Sequence, residues 1–270
     1  MKRLLSAGFA LTLATGMGAQ PQDAHTVVDA MKTTVEKTDF RVTGHLVRIE
    51  AGGARTSYPL TIQAHWFPGE LRVLVKVNPP SGAKTAANQG APVHFLLELK
   101  PNGAATIRVA HPGDAAAASL PLERWSDGVA GTGFAFEDFF EQQYFWTGQA
   151  VLEPTKYGAR ACNVLMSTPG TADKTHYAQV KSWLDRTINF PVYVEKTVKG
   201  SSGGASAGLG ALKQYTFFGL RQDGGIWSAN QIEEKNRGQD GSSLLIIDRG
   251  TPKAHLGLAD FGPEQLARFP

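Results

Sequence analysis

Four sets of residues in this 270-residue chain have side chains able to do covalent, acid–base or metal chemistry. Gly204, Ser206 and Gly208 match G-x-S-x-G. That motif activates serine when a sharp strand-to-helix turn exposes the hydroxyl beside backbone oxyanion donors. Here it lies inside KGSSGGASAGLG, a Gly/Ser-rich run, and LKQYTFFGL after it reads as a strand. The context is therefore that of a flexible hairpin loop. Cys162, the one cysteine, sits in ACNVLM. A nucleophile or an intermolecular bridge is the functional reading. With no basic cluster beside it to favour the thiolate, a small buried hydrophobe is the simpler one. The seven histidines form no H-E-x-x-H and no ligand pair on one helix, and C-x-x-C is absent. His45 and His65 could meet only across neighbouring strands. Last, Glu137, Asp138 and Glu141 offer paired carboxylates. An acid/base pair needs a defined separation across a substrate, and neighbours on one helical turn point in different directions. No phosphate loop or dinucleotide fingerprint is present. The expectation is that the chain has no catalytic residue, metal or cofactor.

These acids belong to residues 131 to 146, GTGFAFEDFFEQQYFW, in which seven of sixteen residues are aromatic. Phe136, Phe139, Phe140 and Tyr144 recur at i, i+3, i+4 and i+8. This spacing predicts a helix with one aromatic face and with the acids turned to water near its N-terminus. DAHTVVDAMKTTVEK predicts a second amphipathic helix. Ala24, Val27, Val28, Met31 and Val35 form its stripe, and Asp23 stands at its N-cap.

Elsewhere the period is two. LTIQAHW alternates Leu60, Ile62, Ala64 and Trp66 with polar residues. FPGE supplies a turn, and LRVLVKV places Leu71, Val73, Val75 and Val77 on one face. VHFLLEL alternates through Val93, Phe95, Leu97 and Leu99, and a PNG turn leads into ATIRVA. Residues 79 to 92 read as a Pro/Gly/Ala-rich loop. ACNVLM, QVKSWLD, FPVYVEKTV, LKQYTFFGL, IWSANQIEEK and SLLIIDRG follow as closely spaced strands. Strands without helices between them argue antiparallel pairing.

Residues 1 to 19 have the layout of a secretory signal peptide: Lys2 and Arg3, an apolar stretch from Leu4 to Ala14, then small residues. Residues 20 to 270 then form one domain of an exported, periplasmic, soluble protein. Hydrophobic residues make up 42% and charged residues 19%, which supports a core and argues against disorder. A net charge of +3 without any Lys/Arg run argues against a nucleic-acid partner.

The order of these features resembles the outer-membrane lipoprotein-sorting protein family, the LolA/LolB-like periplasmic carriers. The resemblance rests on the signal and first helix, on AHWFPGELRVLVKVNPP and GTGFAFEDFFEQQYFW, and on GARACNVLM, YAQVKSWLD, FPVYVEK, GIWSANQIEEK and ADFGPEQLARF. It covers most of the mature chain. Gly133 and Ala135 stand where the family segment often has polar residues. Phe67 precedes Pro68 where carriers use an arginine. The resemblance implies a mainly β fold with helices (α+β): an incomplete, strongly curved antiparallel β-barrel covered by α-helices. It implies an apolar cavity for acyl chains of lipoproteins or lipids, and a membrane receptor or donor complex as partner. Trp66, Leu71, Val73, Val75, Phe95, Leu97, Phe136, Phe139, Phe140 and Trp183 are the candidate wall residues. Two other readings stand beside this one: an envelope sensor module that binds lipid or protein, and a serine hydrolase using Ser206.

Overall fold

The computed structural model describes residues 23–80, 92–200 and 209–269. The signal-peptide stretch, most of the Pro/Gly/Ala-rich loop and Ser206 lie outside the described residues. The chain opens with helix α1 (Ala24–Val35), which buries Val27, Val28, Met31 and Val35 as the spacing predicts. Asp23 holds the N-cap position, but its side chain makes no cap hydrogen bond.

Six strands follow: β1 (Asp39–Ile49), β2 (Arg55–Phe67), β3 (Glu70–Val77), β4 (Val93–Leu99), β5 (Ala105–Ala110) and β6 (Ala118–Ser119). After the aromatic segment come β7 (Gly148–Tyr157), β8 (Arg160–Thr168), β9 (Tyr177–Asp185), β10 (Phe190–Lys199) and β11 (Leu209–Phe218). A small hairpin, β12 (Arg221–Asp223) with β13 (Ile226–Ser228), precedes β14 (Gln231–Asn236) and β15 (Ser242–Pro252). Short helix α2 (Pro263–Ala267) ends the described chain.

Thirteen of the strands form one sheet, in the order β6-β5-β4-β3-β2-β1-β15-β14-β11-β10-β9-β8-β7. Each consecutive strand pairs antiparallel with its neighbour, as their close spacing predicts. The β1–β15 ladder joins the two halves, and its register shifts at Thr43/Gly44. There a Cβ on Gly44 would strike the Ile246 carbonyl, so glycine permits the bulge. The sheet is not closed, and β6 and β7 are its edges. Architecture is mostly β with few helices. The barrel with a helical cover is thus met only in part.

Period two explains the core. Leu60, Ile62 and Ala64 lie beside Val77, Val75 and Val73, and these face Val93, Phe95 and Leu97 in turn. All are buried, and they share one cluster with Leu165, Val180 and Leu184 of the other half. The opposite face of β3 and β4 is less polar than its sequence suggests. Leu74 and Leu96 are buried there under Leu256, Phe261 and Leu266 of the C-terminal segment. His94 is part of this clasp, with Nδ1 2.9 Å from the Leu266 carbonyl and its ring stacked on Phe269 at 3.8 Å.

The aromatic segment departs from expectation. It is not one helix but two 3-10 turns, Phe136–Phe139 and Gln142–Phe145, with Phe140 extended between them. Nor do its acids face water. The side chains of Glu137 and Asp138 are buried, Glu141 is half-buried, and both rings and acids point inward. A regular helix sends alternate faces in opposite directions, so it cannot bury both sets. The carboxylate of Asp138 also competes for backbone, accepting the Ala135 N–H at 2.7 Å.

Candidate functional site

The inward acids meet cations that the strands bring to the same face. Along β10, Val194 and Lys196 alternate inward, and along β11 Lys213 and Tyr215 do the same. Register places Lys196 opposite Lys213 and Val194 opposite Tyr215. Both lysines converge on Asp138. Lys196 Nζ donates to Oδ1 at 2.8 Å and Lys213 Nζ approaches Oδ2 at 3.4 Å. The hydroxyls of Tyr177 and Tyr215 donate to the same carboxylate at 2.6 and 2.7 Å. Its side chain is 1% exposed, against 9% for Lys196 and 12% for Lys213. Burial alone would raise the Asp138 pKa; the two ammonium groups and the hydrogen bonds outweigh it and hold the carboxyl well below the usual carboxylate range. Burial, with the charge of Asp138 and the hydrogen bonds to it added, pushes the Tyr177 and Tyr215 hydroxyls well above the usual tyrosine value.

Glu141 has no such set of donors. Burial raises its pKa to about 7, against the pull of Lys196. Glu137 accepts from Thr175 Oγ1 at 2.8 Å and from the His176 N–H, which ties the segment to the start of β9.

Above this network opens a cavity of about 340 Å³. Its wall is mostly apolar. It includes Val42, Ile62, Ala64, Leu71 and Val73 from the first half, Val194, Phe217, Leu245 and Ile247 from the second, and Phe134, Phe139 and Phe140 from the aromatic segment. Lys196, Asp138, Glu141 and Tyr215 are among its polar lining residues, together with Lys37, Asp39, Arg221 and Asp223. Ile226 and Trp227 of the β12–β13 hairpin stand at the wall, as do Thr34 and Val35 at the end of α1.

Of the residues singled out from sequence, Leu71, Val73, Phe139 and Phe140 line this cavity. Val75, Phe95, Leu97 and Phe136 do not; they are buried core, with Phe95 edge-on to both Phe136 and Phe139 at 5.0 and 5.2 Å. Trp66 stacks on Phe145 at 5.8 Å instead. Trp183 is on the other face of the sheet, where it packs edge-on against Tyr193. Its place in the register explains this: Trp183 pairs with Tyr193, whereas Ser182 pairs with inward Val194. His45 and His65 stay apart, opposite Pro59 and Asp39. Cys162 is fully buried, and burial raises its thiol pKa. Among the described residues no three His, Cys, Asp or Glu are placed to hold a metal.

The open antiparallel sheet wraps this apolar cavity, with a short helix and an aromatic strap at its wall. Solved structures carry the same fold. An outer membrane lipoprotein-sorting protein domain from Vibrio parahaemolyticus superposes with a TM-score of 0.75 at 19% identity, over 91% of this chain and 100% of that one. A DUF1329 family protein from Desulfovibrio piger gives 0.74 at 13% identity, over 90% and 97%. A LolA superfamily protein from Nitrosomonas europaea gives 0.62 at 16% identity, over 90% and 99%. The fold is therefore LolA-like. No protein-family model matches the sequence, and no curated protein does.

Proposed function

We propose that this protein is an exported carrier that holds an acyl chain of a lipoprotein or lipid in the cavity between sheet and strap. The observation that carries the reading is the apolar wall of a roughly 340 Å³ cavity on a LolA-like fold. Pockets for small ligands start near this size, at about 300 Å³. Burial of each methylene contributes about 0.8 kcal/mol, so some ten methylenes contribute on the order of 8 kcal/mol before ordering costs. In this reading the sheet acts as an incomplete, strongly curved barrel, and α1 with residues 131 to 146 covers its open side. Leu71, Val73, Phe139 and Phe140 contact the chain, while Trp66, Val75, Phe95, Leu97 and Phe136 support them from behind. Residues 1 to 19 export one carrier domain to the periplasm, where a membrane receptor or donor complex exchanges the cargo. The role needs no catalytic residue, only a dry wall and a cover that moves.

Organic extraction of the natively purified protein, read by mass spectrometry, tests this directly. Stoichiometric acylated material is expected, together with uptake of an added lipopeptide. Val73→Trp, which fills the cavity from β3, should abolish uptake while the circular dichroism spectrum is kept. A clean extract from protein that also refuses the lipopeptide would overturn the reading.

A further inference from the structure

A second cleft, of about 410 Å³, opens beside residues 131 to 133 and the β14–β15 hairpin. It shares no lining residue with the apolar cavity. Its wall is polar, with Arg48, Glu50, Glu234, Asn236, Asp240 and Ser243 among the lining residues. Glu234 is the buried acid among them. That residue is only 1% exposed, yet its Oε1 has no hydrogen-bond partner. A buried acceptor left without a donor is unfavourable, more so when charged, so a ligand that supplies a donor is favoured there.

Local construction keeps the carboxyl where it is. A Cβ on Gly133 would fall on the Glu234 carboxyl, so glycine there makes its room. The Gly133 N–H donates to Ser243 Oγ at 2.7 Å, and the Ser243 hydroxyl in turn bonds the carboxyl. Charge then selects the ligand. Arg48 is committed to Glu50 at 2.8 Å. Lys213, the ammonium that acts on Glu234 from β11, is bonded to the Gly133 carbonyl and shared with Asp138. Glu234 and Asp240 are left with no other cation among the lining residues. Arg48 Nε adds a buried donor without an acceptor.

We propose that this cleft binds a primary ammonium group carrying a neighbouring oxygen acceptor, as in a phosphoethanolamine-type ligand. The ammonium donates to Glu234, and the acceptor meets Arg48. Binding here stands whether or not the cavity takes an acyl chain, since the two have separate walls. The same chemistry can come from a free amine or from a lipid headgroup.

Titration of the purified protein with O-phosphoethanolamine, followed by amide chemical shifts, is the test. Saturable shifts at residues 131 to 133 and along β14 are expected. Phosphocholine, whose quaternary nitrogen has no N–H, should bind about tenfold more weakly or not at all. Glu234→Gln, which keeps size and removes charge, should weaken binding by about tenfold or more. Asp240→Asn, at an exposed position, should weaken it less and serves if the first variant fails to fold. Competition by vesicles of phosphatidylethanolamine assigns the headgroup source; binding of the soluble amine alone assigns the free one. No saturable shift up to ~10 mM, equal binding of phosphocholine, or binding that Glu234→Gln leaves intact would overturn the assignment.

Discussion

Replacing Asp138 by Asn tests whether the buried carboxylate holds this fold together. In the native protein it accepts two tyrosine hydroxyls and the Ala135 N–H and faces two lysine ammonium groups, all within 3.4 Å. Asparagine keeps the volume and one oxygen but removes the charge. It leaves Lys196 and Lys213 nearly buried with the shared counter-ion gone. Breaking a buried pair in this way costs about 3–5 kcal/mol. For a chain of this size that lowers Tm by roughly 6–20 °C. The sign with pH follows from the depressed carboxyl. Its contribution is present above the unfolded value, near 3.9, and is lost as pH falls through the lower native one. The deficit of Asp138→Asn is therefore full at pH 7 and shrinks in acid. Urea melts at both conditions measure it. A cycle with Lys196→Met isolates the pair: in the Asn background the lysine change should cost far less than in the native protein. A loss below about 1 kcal/mol at pH 7, the range of an exposed pair, would refute the network's structural role.

Glu234→Gln should change the pH profile in the opposite sense. Burial raises the Glu234 pKa from 4.5 to about 7, worth on the order of 3 kcal/mol, so native stability declines as pH rises from about 4.5 to about 7. Lys213, Asp138 and Ser243 are the groups that act on it there. The glutamine variant should gain on the native protein at pH 8 relative to pH 5 in urea melts. An unchanged difference between the two would count against a Glu234 pKa raised by burial. Gly133→Ala should cost about 1–3 kcal/mol by overpacking, and a smaller side chain at 234 should restore part of it. His94 is buried, and that burial lowers its pKa from 6.5 to about 4. Stability from its neutral ring is thus full above pH 6.5 and lost as pH falls toward 4. Limited proteolysis should release the segment after residue 256 faster in that window, and His94→Phe should remove the pH step. Cys162, fully buried with a raised thiol pKa, should react with a thiol reagent only at the rate of unfolding; rapid labelling of the native protein would contradict its place in β8.

Much of the fold is legible in period two. Ile62 and Ala64 alternate with Thr61, Gln63 and His65 because one face of the sheet is core, and the Pro68-Gly69 turn fixes the β2–β3 register, with Gly69 at φ +93°. Helix α1 follows from its stripe. The aromatic segment does not, since seven rings satisfy helical spacing in almost any frame, and the acids among them read as solvent-facing by habit. The signal that corrects this lies elsewhere. Lys196 stands in phase with Val194, and Lys213 in phase with Tyr215 and Phe217. A lysine on the apolar face of a strand must find an acid, and the acids of residues 137 to 141 are the supply. Sequence alone cannot pair them, because β10 and β11 lie more than fifty residues from Asp138 in the chain. Trp183 fails for a related reason. Its own strand alternates weakly, and only the register with Tyr193 sends it outward.

The lysines also decide which acids near the cavity stay charged. Asp138 holds both, so its charge survives burial. Glu141 feels Lys196 and Glu234 feels Lys213, each already engaged, so burial wins and both titrate near neutrality. The consequence falls on the cavity wall, where Glu141 stands beside Phe139 and Phe140. Protonated, it costs an apolar chain little; ionised, it asks for water, since a charge cannot be desolvated cheaply. An acyl chain should therefore be held more firmly below pH 7 than above it, and Glu141→Gln should flatten that dependence. A lipopeptide affinity that is level across pH 6 to 8 in the native protein would mean that the chain lies along the Val73 side of the cavity, out of reach of Glu141.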